Sequence, residues 1–146
     1  MKQTIFIING PNLNLLGNRE NNIYGDSTLQ ELQEMCENYI KSSNFNIKFF
    51  QSNYEGKLID LIQQAAEESQ GLIINAAGYS HTSVAIYDAV KNYPGFSVEV
   101  HLSNIYKREE FRKNSYVSSV VDGVISGLGT HGYILALEYL TAKLTK

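Results

Sequence analysis

One cysteine in 146 residues rules out an internal disulfide. The spacing of Cys36 from Leu29, Leu32 and Ile40 puts it on the apolar face of a helix, and because thiols are among the most buried side chains it is expected to pack rather than react. Basic excess is lacking too. With 12 Lys and Arg against 15 Asp and Glu, the net charge of -3 gives no electrostatic reason to expect nucleic acid or an anionic membrane as the main partner. No apolar run approaches the roughly 20 residues that span a bilayer, and the first residues lack the basic-then-apolar layout of a signal peptide, so a cytoplasmic protein is expected. No repeat, low-complexity tract or linker divides the chain. With 43% hydrophobic residues there is material for one core, and a single domain over residues 1–146 is expected.

Several motifs are missing as well. No G-x-G-x-x-G follows the first apolar run and no G-x-x-x-x-G-K-[ST] occurs, so dinucleotide and P-loop readings lack their phosphate cradle. There is no G-x-S-x-G elbow. His81, His101 and His131 do not stand at metal-ligand spacings, and a lone cysteine does not complete a zinc site. What is left is acid/base chemistry with no metal and no nucleotide expected.

What is present alternates regularly. Thr4-Ile-Phe-Ile-Ile8 reads as a buried strand. A helix follows from the overlapping capping boxes Ser27/Gln30 and Thr28/Glu31 to about Lys41. Asn46–Phe50 reads as a strand, Lys57–Ser69 as a helix, and Gly71–Asn75 as a strand buried on both faces in the manner of parallel sheets. Ser80–Val90 has helical spacing, Ser97–His101 alternates as a strand, Ser103–Tyr116 reads as a polar loop with a short helical turn, and Gly123–Ser126 is the last strand. A closing helix runs from near Thr130 to Lys143. This order predicts an open, doubly wound parallel α/β sheet of five strands with right-handed crossovers, and a flavodoxin-like strand order is the best match. In such sheets ligands bind beyond the carboxyl ends of the strands, near the reversal of strand order.

Polar residues gather at that edge: Asn9 and Asn12 after the first strand, Asn75 after the third, His101 and Ser103 at and beyond the fourth. Glu99 and His101, two apart on a strand, leave the same face, so the carboxylate can orient the imidazole. They read either as an acid/base pair or as an ordinary strand-end hydrogen bond. His81 and Asp88, seven apart on the third helix, share a face two turns from each other and can line one surface, though taken alone the commoner reading is a local cap contact for His81 and a solvated charge for Asp88. Arg108 and Arg112 would share a face if their loop is helical, binding a substrate carboxylate or hydroxyl, or standing as plain surface charges. The long loop Asn9–Gly25 divides in two. Leu13, Leu15 and Leu16 pin its first half, while its second half, glycine-flanked from Gly17 to Gly25, carries Arg19 and Tyr24 and reads as a hinged lid. An arginine beside a phenol favours the tyrosinate.

These residues, taken with their neighbours, resemble the type II 3-dehydroquinate dehydratase (type II dehydroquinase) family. The matching stretches are Asn9–Gly17 with Arg19 and Tyr24-Gly25; Gln51-Ser-Asn53 with Glu55-Gly56; Asn75–Ile86 with Asp88-Ala89; Val98–Ile105; and Arg108–Arg112 with Ser115-Tyr116. The resemblance covers the whole chain in order. It implies reversible dehydration of 3-dehydroquinate to 3-dehydroshikimate by anti elimination through an enolate, in the shikimate pathway or in quinate breakdown, without a cofactor. It further implies that Tyr24 is the base, with Arg19 favouring its ionised form, that Asn12 stabilises the enolate through a water, and that His101, oriented by Glu99, protonates the departing hydroxyl. Asn75 and the backbone at Leu102 and Ser103 would hold the substrate carboxylate, and His81 and Arg112 its hydroxyls. Asp88 would reach into a neighbouring subunit's site, in a homo-oligomer of trimers, commonly a dodecamer. The chain departs from the family pattern at Tyr87, where arginine is usual, at Tyr106, where histidine is usual, at Lys113, where histidine is common, and in lacking a proline before the lid tyrosine. These departures bear on subunit contacts and lid docking. A flavodoxin-like small-molecule binding module without turnover is the competing reading, and a flavin-binding one finds no phosphate loop to support it.

Overall fold

The computed structural model describes all of residues 1–146. Strand β1 (Gln3–Asn9) enters the core directly, and Ile5, Phe6, Ile7 and Ile8 are fully buried because both faces of the strand are covered. Helix α1 (Leu29–Ile40) follows, then β2 (Phe45–Gln51), α2 (Glu55–Glu68), β3 (Gly71–Asn75), α3 (Val84–Lys91), β4 (Phe96–His101), β5 (Gly123–Ser126) and α4 (His131–Thr145). All strand pairs are parallel, in the order β2-β1-β3-β4-β5, which is the expected flavodoxin-like order. After β1 the chain steps outward to β2, then crosses back to place β3 on the other side. The reversal lies between β1 and β3, and Asn9 pairs with Asn75 there at the carboxyl ends of both strands.

Alternation along the strands builds two cores. Ile5, Ile7, Ile73, Val98 and Val100 pack against Leu32, Cys36 and Ile40 of α1 and Tyr133, Ala136, Leu137 and Leu140 of α4. Phe6, Ile8, Leu72 and Ile74 face Leu58, Leu61, Ile62 and Ala65 of α2 and Ile86 and Val90 of α3 on the opposite side. Cys36 is fully buried, and desolvation, with the Glu37 charge adding to it, pushes its thiol up to about 12, as suits a packing residue. No helix is long and apolar enough to cross a membrane.

Local chemistry sets the helix starts. Of the two overlapping boxes before α1, the one formed is Thr28/Glu31, with reciprocal bonds from each side chain to the other's backbone N–H. Helix α2 begins at Glu55, two residues before the expected start. The third helix does not begin at Ser80. Ala77 takes a left-handed φ of 52°, and Ala77–His81 forms a 3-10 turn. The helix proper waits for Ser83, whose hydroxyl caps the Ile86 N–H. His81 and Asp88 therefore do not share a helix face. The loop after β4 is likewise three 3-10 turns, Ile105–Lys107, Glu110–Lys113 and Val117–Val120, so Arg108 and Arg112 are not on one helix.

Beneath the reversal point lies a buried chain of hydrogen bonds. The Tyr133 hydroxyl donates to Asn9 Oδ1 at 2.6 Å and accepts from Asn75 Nδ2 at 2.9 Å, so α4 ties the ends of both middle strands together. The backbone approach is equally close, with Gly10 N–H donating to the Asn75 carbonyl at 2.7 Å. A Cβ at Gly10 would lie 2.5 Å from the Ala76 carbonyl oxygen, so only glycine fits. Tyr133→Phe strands two buried amide groups, each at a cost of about 1–3 kcal/mol. Urea unfolding is expected to give a lower midpoint with an unchanged slope; an unmoved midpoint would mean that the amides find other partners.

Candidate active site

The cleft sits where the strand order reverses, roofed by the lid. Asn12, Arg19, Tyr24, Asn75, His81, His101, Leu102, Ser103 and Arg112, all singled out in the sequence, line it together. Glu99 stands behind His101 and is fully buried. Asp88 is exposed on α3 and lies outside the lining of this chain's cleft.

The floor is built by β4. Glu99 and His101 emerge on one face as period-two neighbours, and Nε2–H of His101 donates to Glu99 Oε2 at 2.5 Å. That bond fixes the ring and leaves Nδ1 as the nitrogen that can exchange a proton. Burial pushes the Glu99 carboxyl up, but the bond and charge of His101, with hydroxyl bonds from Ser115 and Ser118, outweigh it and hold the carboxyl below the usual carboxylate range. The carbonyls of His101 and Leu102 are held by Gly127 and Gly129 N–H at 3.2 and 3.0 Å, which steadies the strand end.

His81, in the 3-10 turn after β3, stacks toward His101 with ring centroids 6.3 Å apart. Its Nδ1 lies 3.0 Å from the Asn114 carbonyl, an obligate acceptor, so Nδ1 carries the hydrogen and Nε2 is the free nitrogen. Desolvation pulls His81 below the ordinary histidine value. The Asn114 bond opposes this, and the charges of His101 and Arg112 add to it.

Asn12 opens the lid loop with a left-handed φ of 68°, which asparagine tolerates. Its N–H donates to Asn53 Oδ1 at 3.0 Å, and Gln51 Nε2 braces the same loop through the Gly10 carbonyl at 3.1 Å. Leu13 and Leu16 anchor this half in the core. Leu15 was expected to join them, but it is 47% exposed, because the 3-10 turn Leu13–Leu15 rotates it outward.

Gly17 and Gly25, at φ 86° and 85°, bound the second half of the loop, which ends in a helical turn, Asn21–Tyr24. That turn sets Tyr24 between two cations. Arg19 lies 4.4 Å from its ring centroid and donates to its hydroxyl at 3.2 Å, and Arg108 lies 5.0 Å from the same centroid. Both guanidiniums thus lie against the Tyr24 ring, and Arg19 also bonds its hydroxyl. Arg108 was read from sequence only as one of two possible substrate contacts, yet the structure places it against the lid tyrosine. It also donates to Ser103 Oγ at 3.3 Å, and its side chain is 12% exposed. The spacing of Arg108 and Arg112 was the one signal available, since both reach the cleft from separate turns.

No group of three or more His, Cys, Asp or Glu side chains is arranged to hold a metal ion. The class defined by fold and cleft is thus a flavodoxin-like α/β protein with acid and base groups gathered at the reversal of strand order. The Dehydroquinase class II family model matches residues 3–141, and the chain belongs to that family. It is 54% identical to a 3-dehydroquinate dehydratase of Bartonella tribocorum over 144 residues, covering 99% of this chain and 97% of the relative. Two solved structures share its fold, each with a TM-score of 0.93. A type II dehydroquinase from Butyrivibrio crossotus is 44% identical, covering 96% of this chain and 98% of that one. A type II dehydroquinase from Propionibacterium acnes is 41% identical, covering 97% and 98%.

The Glu99 pair makes a pH prediction. Because its folded value is depressed, its contribution to stability is full above the ordinary carboxylate value of 4.5 and is lost as pH falls through the lower folded value. Glu99→Gln is expected to cost about 1.5–3 kcal/mol at pH 7, the range for hydrogen bonds to a charged group. Thermal melts should show the gap to the parent closing in acid, and a constant gap from pH 7 to 3 would contradict the assignment.

Proposed function

We propose that this chain is a type II 3-dehydroquinate dehydratase, a hydro-lyase that interconverts 3-dehydroquinate and 3-dehydroshikimate through an enolate in the shikimate pathway. The observation that carries the reading is Tyr24, held by the lid between Arg19 and Arg108 over a cleft floored by the Glu99–His101 pair. Its supports are the family and the names of its relatives.

The Tyr24 oxygen takes the proton from the carbon beside the ketone, and the C–H electrons move to the carbonyl oxygen. Arg19 and Arg108 stabilise the phenolate that does this, and Asn12, through a bridging water, stabilises the enolate oxygen. The enolate then collapses and the hydroxyl departs anti to the lost proton, taking its own proton from His101 Nδ1. Glu99 stabilises the imidazolium that gives it. Asn75 and the backbone at Leu102 and Ser103 hold the substrate carboxylate, and His81 and Arg112 its hydroxyls. The exposed position of Asp88 suits a residue that serves a neighbouring copy's cleft, which calls for an assembly of trimers, commonly a dodecamer. The same reading makes residues 1–146 one catalytic domain and the enzyme cytoplasmic, with no cofactor or metal in the reaction.

Mixing the protein with 3-dehydroquinate is expected to raise the ultraviolet absorbance of the conjugated enone carboxylate, and silence across a broad pH range would refute the reading. Tyr24→Phe should lose at least about 1,000-fold in kcat, the scale on which general base catalysis operates, while still binding substrate. Near-parental turnover would assign the base to another residue. Arg108→Ala should lower kcat about 10- to 100-fold with a smaller change in KM, because it removes charge stabilisation rather than a substrate contact. A change confined to KM would return Arg108 to substrate binding.

A further inference from the structure

Segment 114–118, which runs from the end of the second 3-10 turn after β4 into the third, bonds His81 directly and reaches His101 through Glu99, without lining the cleft. The Asn114 carbonyl accepts from His81. Ser115 Oγ donates to Glu99 Oε2 at 2.6 Å, the oxygen that also receives the His101 bond, and Ser118 Oγ donates to Glu99 Oε1. The segment is anchored independently of these bonds. Val117 is fully buried in the core beside α2 and α3, and Tyr116 N–H donates to the Ser80 carbonyl at 2.8 Å.

Glu99 is fully buried, and an ionised carboxylate there needs several donors to offset the loss of water. His101 supplies one. The two serine hydroxyls supply the others, one on each carboxylate oxygen, so the carboxylate plane is fixed and with it the direction of the imidazole bonded to it.

We propose that Ser115 and Ser118 are positioning residues for His101: they clamp the Glu99 carboxylate so that its bond to Nε2 holds the imidazole with Nδ1 toward the substrate. The role in turnover rests on the dehydratase reading above, while the clamp itself rests on geometry alone. The other ionisable groups that act on this pair are His81, from the turn after β3, and Arg112, from the second 3-10 turn, which acts on His81. Neither contacts the serines through a hydrogen bond.

The test compares Ser115→Ala, Ser118→Ala, their double variant and Ser118→Thr, which keeps the hydroxyl. The double variant is expected to lose roughly 10- to 100-fold in kcat, the cost of a mispositioned catalytic group, with KM changed much less. Hydroxyl bonds favour the charged carboxylate, so their removal should move proton uptake by the Glu99–His101 pair to higher pH. The imidazole NMR signal of His101, assigned by its absence in His101→Asn, reads that shift without any turnover, and Ser118→Thr should restore most of both effects. Ser115→Ala, an edge-of-core change in a half-buried loop residue, carries the same two readouts if the double variant does not fold. A parent that turns over substrate, with variants whose kcat and His101 titration are both unmoved, overturns the clamp. A parent inactive on 3-dehydroquinate whose His101 titration still moves in the alanine variants overturns the functional reading and leaves the clamp standing.

Discussion

The geometry of the cleft depends on one buried contact, the Tyr133 hydroxyl held between Asn9 and Asn75. The connections that leave two parallel strands at a reversal of order go to opposite faces of the sheet, which opens the crevice but also leaves polar strand ends to be satisfied away from water. Tyr133 meets both needs at once. Full burial pushes its phenol well above the ordinary range, the Asn75 bond opposing only in part, so it remains a hydroxyl that can donate on one side and accept on the other. With the ends of β1 and β3 tied, Asn75 is fixed, Gly10 seats against Ala76, and the lid loop departs from a rigid edge.

The two tyrosines at this edge show how environment divides one chemistry into two roles. Tyr133 is enclosed by apolar side chains and amides, and it is structural. Tyr24 rides a glycine-bounded segment and meets guanidiniums from two directions, one from its own lid and one from the loop after β4. The second cation connects lid and floor: Arg108 touches Tyr24 and Ser103 together, so Tyr24 is held where the proposed carboxylate site begins. On the floor, buried Glu99 accepts the Nε2–H of His101 and so sets the orientation of the ring.

Much of this was legible in the sequence, for identifiable reasons. Ile5–Ile8 and Gly71–Asn75 announce themselves as two-sided buried strands, and their alternation with helical spacing predicts the parallel sheet and its chemical edge. Glu99 and His101 were legible as a pair because the strand period of two is rigid. Where rigidity failed, so did the reading. The delayed start of α3 follows from a single left-handed residue, Ala77, which leaves no mark in hydrophobic spacing. Three consecutive 3-10 turns after β4 have no amphipathic period, so neither the place of Arg108 beside Tyr24 nor the convergence of Ser115 and Ser118 on Glu99 could be seen before the fold brought them together. Roles for Tyr24, Arg19, Asn12 and His101 came from resemblance to the family rather than from spacing, and it is the family itself that the matched family model bears out.

The central claim is a division of labour, with Tyr24 removing the proton and His101 delivering one to the leaving hydroxyl. Proton NMR of 3-dehydroquinate in D2O, followed with the His101→Asn and Tyr24→Phe variants, separates the two steps. The account predicts that His101→Asn still exchanges the hydrogen beside the ketone for deuterium faster than buffer alone, because the enolate forms and returns, while Tyr24→Phe exchanges at the buffer rate. Exchange retained in Tyr24→Phe and lost in His101→Asn would contradict it.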